Sequence, residues 1–204
     1  MQLRDAVALG ITHLDTSDAY GPRVTNDIIR AALHPYPASL HIATKVGGTR
    51  DAHGGWPTAR TPDDLRRQVR REGLIRYVGV SNATTDQVVE AMSISPIVMV
   101  QNMYNLAHCQ DDALIDRLAG EGSAYVPFFP LGGFSPLQSE ALTAVAHRLE
   151  STPMAIALAW LLQRSPNILL IPGTSSAAHL RENVLGAGVT LSTADVAELN
   201  AIGG

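Results

Sequence analysis

Short, predominantly apolar runs separated by longer helix-patterned stretches constrain this chain more than any other feature. They fall at residues 11–14, 40–46, 76–80, 97–100, 124–129 and 168–171, and each leaves into turn residues or a loop. None alternates apolar with polar over its length, as a strand with one wet face does. A run that is apolar throughout suits a strand covered on both faces, which is how helices enclose a parallel sheet. The helical stretches between the runs supply that cover, so the order α-β-α-β, continued along the chain, predicts an α/β fold built on parallel strands.

Local signals place the helices. Residues 3–9 carry their apolar side chains on one side and stop at Gly10, and Thr25 can cap a second helix that the segment His34-Pro35-Tyr36-Pro37 ends. Thr61-Pro62-Asp63-Asp64 offers a cap, a proline at the first helical position and acids in the first turn. Thr84-x-x-Gln87 reads as a capping box. Further helices are predicted near residues 111–119, 137–150, 153–163 and 177–185, with a short last one from Ser192. No low-complexity segment, linker or internal repeat interrupts this pattern, so residues 1–204 are expected to form a single domain.

Composition narrows the partners. The formal net charge is -4 with the basic residues scattered, whereas phosphate backbones demand clustered Lys and Arg, so no nucleic acid is expected. No apolar stretch is long enough to span a bilayer and no leader is evident, giving the expectation of a cytoplasmic protein without a membrane partner. Cys109 is the single cysteine, which excludes an internal disulfide. It reads as an ordinary thiol, and His108 with Asp111 and Asp112 lacks the pattern of a metal site, so no metal is expected.

The residues just past each apolar run carry the chemistry. They are Asp15 and Tyr20, Lys45, Ser81 and Asn82, Gln101 and Asn102, Phe128 and Phe129, and Gly173 to Ser176. In a barrel of parallel strands these ends share one face, so groups distant in sequence converge on one pocket. The Gly-x-Gly-x-x-Gly turn of a dinucleotide-binding doubly wound sheet is absent after the first run, which favours the barrel. A free phenol titrates near ~10, so Tyr20 needs a neighbouring cation to exchange a proton near neutrality. Lys45 can be that cation and Asp15 can orient it, a relay suited to protonating a carbonyl oxygen while hydride reaches the carbon.

The same residues carry a resemblance. His13-Leu14-Asp15-Thr16-Ser17-Asp18-Ala19-Tyr20-Gly21, Ala43-Thr44-Lys45, Gly79-Val80-Ser81-Asn82, Val100-Gln101-Asn102 and Ile171-Pro172-Gly173-Thr174-Ser175 resemble, in that order, the aldo-keto reductases. Residues 127–134 and 160–166 are most similar to the bacterial pyridoxal-reductase branch of that family. The resemblance implies an aldo-keto-reductase-type (β/α) TIM barrel and reduction of a small-molecule carbonyl substrate with NADPH. It implies Tyr20 as general acid/base supported by Asp15 and Lys45. Ser81, Asn82 and Gln101 match the positions that hold the nicotinamide carboxamide, and Phe128 the aromatic that stacks on that ring. Gly173, Thr174, Ser175 and Ser176, with His179, Glu182 and Asn183, match the region that receives the 2′-phosphate and adenine. Loop amides at a helix start suit phosphate on physical grounds as well.

The chain also departs from the family pattern. It begins at the helix before the second family strand, and residues 61–76 read as two family helices fused with the fourth strand lost between them. The expectation is a barrel truncated to about six strands, whose open edges favour a homo-oligomer. The fourth strand often supplies a catalytic histidine in the family, and none of His34, His41, His53, His108 or His147 stands at that position. Two alternatives follow from the loss: a lyase, isomerase or cyclase that keeps Tyr20 and Lys45 for acid-base work without redox chemistry, and a non-catalytic nucleotide-binding remnant. Trp56 reads as cover for apolar surface in a long loop.

Overall fold

The computed structural model describes residues 2–21, 24–51, 53, 55, 57, 61, 63, 76–132 and 139–203. Of the fused helix expected across residues 61–76, residues 62 and 64–75 lie outside the described residues, as does Trp56. The chain forms two compact units that divide between Arg76 and Tyr77.

In the first unit, α1 (Gln2–Ala8) leads into β1 (His13–Asp15), a 3-10 turn (Asp18–Tyr20), α2 (Val24–Leu33) and β2 (His41–Ala43). Gly10, at φ 90°, turns the chain out of α1, a conformation that costs glycine little. Arg4 Nε donates to Ala32 O at 2.8 Å and so ties α1 to the carbonyl end of α2. A cation suits that end of a helix, where unpaired carbonyls gather. β1 and β2 run parallel with His13 opposite His41 and Asp15 opposite Ala43. One further bond at each end, Thr16 N to Ala43 O and His41 N to Thr12 O, lengthens the ladder and carries its register up to the residues of interest.

The second unit holds β3 (Val78–Ser81), α3 (Thr85–Ile94), β4 (Ile97–Met103), α4 (Asp112–Glu121) and β5 (Ala124–Phe128). It continues through α5 (Glu140–Arg148), α6 (Pro153–Arg164), α7 (Ala177–Gly186) and α8 (Thr193–Asn200). The sheet order is β3-β4-β5, all parallel, with Ser81 opposite Gln101 and Asn102 opposite Pro127. The capping box of Thr84 and Gln87 forms as the sequence predicts, and Ser192 with Asp195 makes a second at α8. Val100, Ile115, Leu118, Tyr125, Ile156 and Leu158 are fully buried in the core of this unit. Each such aliphatic side chain contributes about 1.5–3 kcal/mol by leaving water. Gly186 lets α7 approach α6 so closely that a Cβ there would stand 2.9 Å from Ala155 Cα.

Thr25 lies within α2, which begins at Val24, and does not cap it, and two expectations about the strands change as well. The run at 168–171 is not a full strand: it joins β5 by a single bridge, Tyr125 with Ile168, through Tyr125 N to Asn167 O and Leu169 N to Tyr125 O. The next donor on that side of β5 would belong to Pro127, which has no N–H, and the ladder stops there. The other change concerns cover. β4 and β5 are buried along most of their length, whereas β2 and β3 are largely exposed. Among the described residues each of those two pairs with one neighbour only, so an apolar run there marks a strand without burying both its faces.

Candidate active site

Three of the sequence-predicted groups meet in the first unit. β1 ends at Asp15 and β2 is followed by Lys45, and the parallel pairing places those two strand ends side by side. Lys45 Nζ donates to Asp15 Oδ2 at 2.5 Å and to Thr16 O at 3.1 Å. Both side chains of the ion pair are largely shielded from solvent. Ser17 caps the 3-10 turn, accepting from Ala19 N at 3.2 Å, and the turn delivers Tyr20 back over the pair. The ammonium of Lys45 stands 5.1 Å from the centroid of the Tyr20 ring, within range of a cation–π attraction. Tyr20 is 53% exposed, so its ring is held over the lysine while a large part of it faces solvent.

His13 is the residue of this region that the sequence reading passed over. It stands two before Asp15, hence on the same face of β1. Its Nε2 is buried without a hydrogen-bond partner. Burial lowers its pKa from the ordinary 6.5; Asp15 opposes that shift, and His41 and Lys45 reinforce it. His13 is therefore held toward its neutral form beside the ion pair. The i, i+2 spacing to Asp15 was the available signal.

In the second unit the strand ends carry the predicted cofactor groups. Ser81 closes β3 opposite Gln101 of β4, and Asn82 N donates to Gln101 O at 2.9 Å. Asn82 takes φ 53°, a left-handed conformation that asparagine tolerates better than most residues. Gln101 is 4% exposed. Phe128, half-buried at the end of β5, meets the Phe129 ring edge to face with centroids 5.3 Å apart. Further on, Ser176 N donates to Thr174 Oγ1 at 3.0 Å, and Ser176 Oγ accepts from His179 N at 3.3 Å to cap α7. Gly173, Thr174, Ser175 and Ser176 thus form a braced turn into a helix N-terminus, with His179 exposed in its first turn. Asn183 lies one turn further along α7. Glu182 is engaged elsewhere: its Oε1 accepts from Thr152 Oγ1 at 2.5 Å, joining α7 to the cap of α6.

Two buried tyrosines of this unit are bonded to carboxylates at the start of α4. Tyr125 donates to Asp111 at 2.8 Å, and Tyr104 to Asp112 at 2.6 Å. The two tyrosine rings pack edge to face, and Tyr104 stacks on Trp160. Burial first, and then these bonds to carboxylates, push both phenols far above their ordinary value, so both remain proton donors throughout the working pH range. Burial, then Asp112, also raises the pKa of Cys109, which favours its thiol form over the thiolate. No group of three or more metal-ligating side chains occurs among the described residues, and none of their helices is long and apolar enough to cross a membrane.

Likeness to solved structures defines the class. A thermostable aldo-keto reductase solved with the inhibitor epalrestat matches with a TM-score of 0.81 and 30% identity, over 98% of this chain and 85% of that one. An aldo-keto reductase from Klebsiella pneumoniae, solved with NADPH, shows the same fold with a TM-score of 0.78 and 21% identity, over 98% and 83% of the two chains. The fold is the aldo-keto-reductase-type (β/α) TIM barrel in shortened form. The model of the aldo/keto reductase family matches residues 67–203, and pyridoxine 4-dehydrogenase of Escherichia coli K12 is 48% identical over 242 aligned positions. That alignment takes in 98% of this chain and 85% of the relative. This chain belongs to the aldo/keto reductase family, and with it to the oxidoreductases. Because 242 positions exceed its 204 residues, the alignment carries gaps within this chain, in agreement with an internal segment missing.

Proposed function

We propose that this protein reduces a small aldehyde or ketone, a pyridoxal-like aldehyde foremost, with NADPH as the reductant and Tyr20 as the proton donor. The observation that carries the reading is the Asp15–Lys45 ion pair with its ammonium facing the Tyr20 ring. The reaction balances as carbonyl, NADPH and one proton giving alcohol and NADP⁺. NADPH, when bound, supplies the hydride to the carbonyl carbon. Tyr20 gives its hydroxyl proton to the carbonyl oxygen as negative charge gathers there. Lys45 stabilises the phenolate left behind, and Asp15 holds the lysine charged and in place. The exposure of Tyr20 allows solvent to return the proton.

Donor chemistry supports a fit to the dinucleotide. Ser81, Asn82 and Gln101 offer amide and hydroxyl groups to a carboxamide, and Phe128 an aromatic face to the ring. The turn Gly173–Ser176 opens a helix whose first N–H groups suit phosphate, with His179 beside them and Asn183 one turn along for the adenine. Glu182, which matches the same region, accepts from Thr152 through Oε1 and has Oε2 as its second acceptor.

Melting curves with and without NADPH, run beside NADPH oxidation over a panel of aldehydes that includes pyridoxal, test the proposal. NADPH is expected to raise the melting temperature and to be oxidised only when carbonyl is present. Tyr20→Phe should abolish oxidation and keep the thermal shift. A wild-type protein without a shift at millimolar NADPH, or one with Tyr20-dependent turnover that needs no nicotinamide, overturns it.

A further inference from the structure

Asn102 stands among the strand-end polar residues, and its side chain is bonded through both its oxygen and its nitrogen. Its Oδ1 accepts from Ala83 N at 3.0 Å, and its Nδ2 donates to Ala83 O at 2.8 Å and to Asp111 Oδ2 at 2.7 Å. It is 7% exposed. Ala83 directly follows Ser81 and Asn82. The backbone ladder between β3 and β4 ends with Asn82 N bonding Gln101 O. Beyond that point the carboxamide of Asn102 takes over, satisfying both the N–H and the C=O of Ala83 as a partner strand would. A side chain thus extends the ladder by one residue and closes the turn from behind.

An amide can bond Ala83 in this way in only one orientation, and Asp111 sets it. Oδ2 of that carboxylate accepts from Asn102 Nδ2 and from the Tyr125 hydroxyl, and an ionised carboxylate offers no proton in return. Tyr125 is fully buried and stays protonated, so it is a fixed donor. A connected set of hydrogen bonds therefore runs from β5 through Asp111 and Asn102 to the turn that leaves β3. Such satisfied buried networks hold one conformation firmly.

We infer that Asn102 is a positioning residue for the nicotinamide carboxamide: by clamping Ala83 it holds Ser81 and the left-handed Asn82 in binding geometry, with Asp111 and Tyr125 setting its orientation. The inference rests on the proposed role of Ser81, Asn82 and Gln101.

Fluorescence titration with NADPH on the full-length protein tests it, using Asn102→Asp, Tyr125→Phe and Ser81→Ala, with steady-state kinetics beside it. Asn102→Asp loses the donor and sets a second carboxylate against Asp111. It should weaken NADPH binding about tenfold or more, with the KM for the carbonyl substrate unchanged. Tyr125→Phe keeps the packing and should weaken binding by a smaller factor in the same direction. Combined with Ser81→Ala, the effect of Asn102→Asp should be well below the product of the two single effects, because both act through one turn. Should Asn102→Asp fail to fold, Tyr125→Phe with and without Ser81→Ala decides by the same non-additivity. NADPH affinity unchanged in folded variants, or effects that multiply independently, overturns the inference. A wild-type protein that binds no NADPH overturns the underlying reading instead, and the inference with it.

Discussion

The two units of this molecule handle charge in opposite ways. In the first, an ion pair sits at the ends of two three-residue strands, under a tyrosine ring that stands half in solvent. In the second, carboxylates, tyrosines and an asparagine are bonded to one another beside a dense apolar core, where they brace strand ends and helix starts. The difference separates two uses of polar groups. A group that must exchange a proton with substrate needs access and a partner that stabilises its ionised form. A group that must hold geometry needs burial and every bond satisfied.

The largest expected effect would break this contrast at Lys45. Lys45→Met should lower kcat by about 10²–10⁴-fold, the range of a lost acid-base function. It leaves the shielded Asp15 carboxylate without its ammonium, and Asp15→Asn on the same background should recover stability but not turnover. Stopped-flow NADPH oxidation and thermal melts check both halves. If Lys45→Met turns over like the parent, the ion pair is merely structural and the two units do not differ in kind.

Next in size is packing. Leu158, fully buried in α6, should cost about 2–5 kcal/mol when cut to alanine, whereas Leu14 of β1, half-buried, should cost about 1 kcal/mol. Urea titrations followed by circular dichroism measure the pair. Equal losses would show the first unit to be as tightly packed as the second.

The smallest effect concerns His13. Its pKa is lowered in the folded chain, so at pH values between the ordinary 6.5 and the folded value the unfolded chain binds a proton that the folded one refuses. Stability then rises with pH through that window and levels off above it. His13→Gln should remove this part of the slope when denaturation midpoints at pH 5.5 and pH 7.5 are compared. An unchanged slope would mean that the buried ring takes up its proton freely.

Much of this was legible in the residues themselves. Asp15, Tyr20 and Lys45 could be grouped because strand ends in a parallel sheet share a direction, and the caps at Thr84, Thr152, Ser176 and Ser192 are local chemistry that needs no partner far away. Pro127 was equally visible, yet its consequence was not: only the pairing of β5 shows that the missing N–H faces the run at 168–171 and shortens it to one bridge. Glu182 illustrates the same limit. Its position along α7 follows from the sequence, but its bond to Thr152 arises from the packing of two helices.

By itself, then, the amino-acid sequence determined the alternation of helices and parallel strands, the family and the residue types available at each strand end. Those properties follow from periodicity, turn chemistry and the order of short motifs, all of which are local. Tertiary structure alone decided which of the polar residues are exposed and which are locked. Lys45 faces Tyr20 because β1 and β2 pair in one register, and Asn102 clamps Ala83 because β3, β4 and α4 bring three segments to one point. Such contacts join residues many positions apart, and no local signal specifies them.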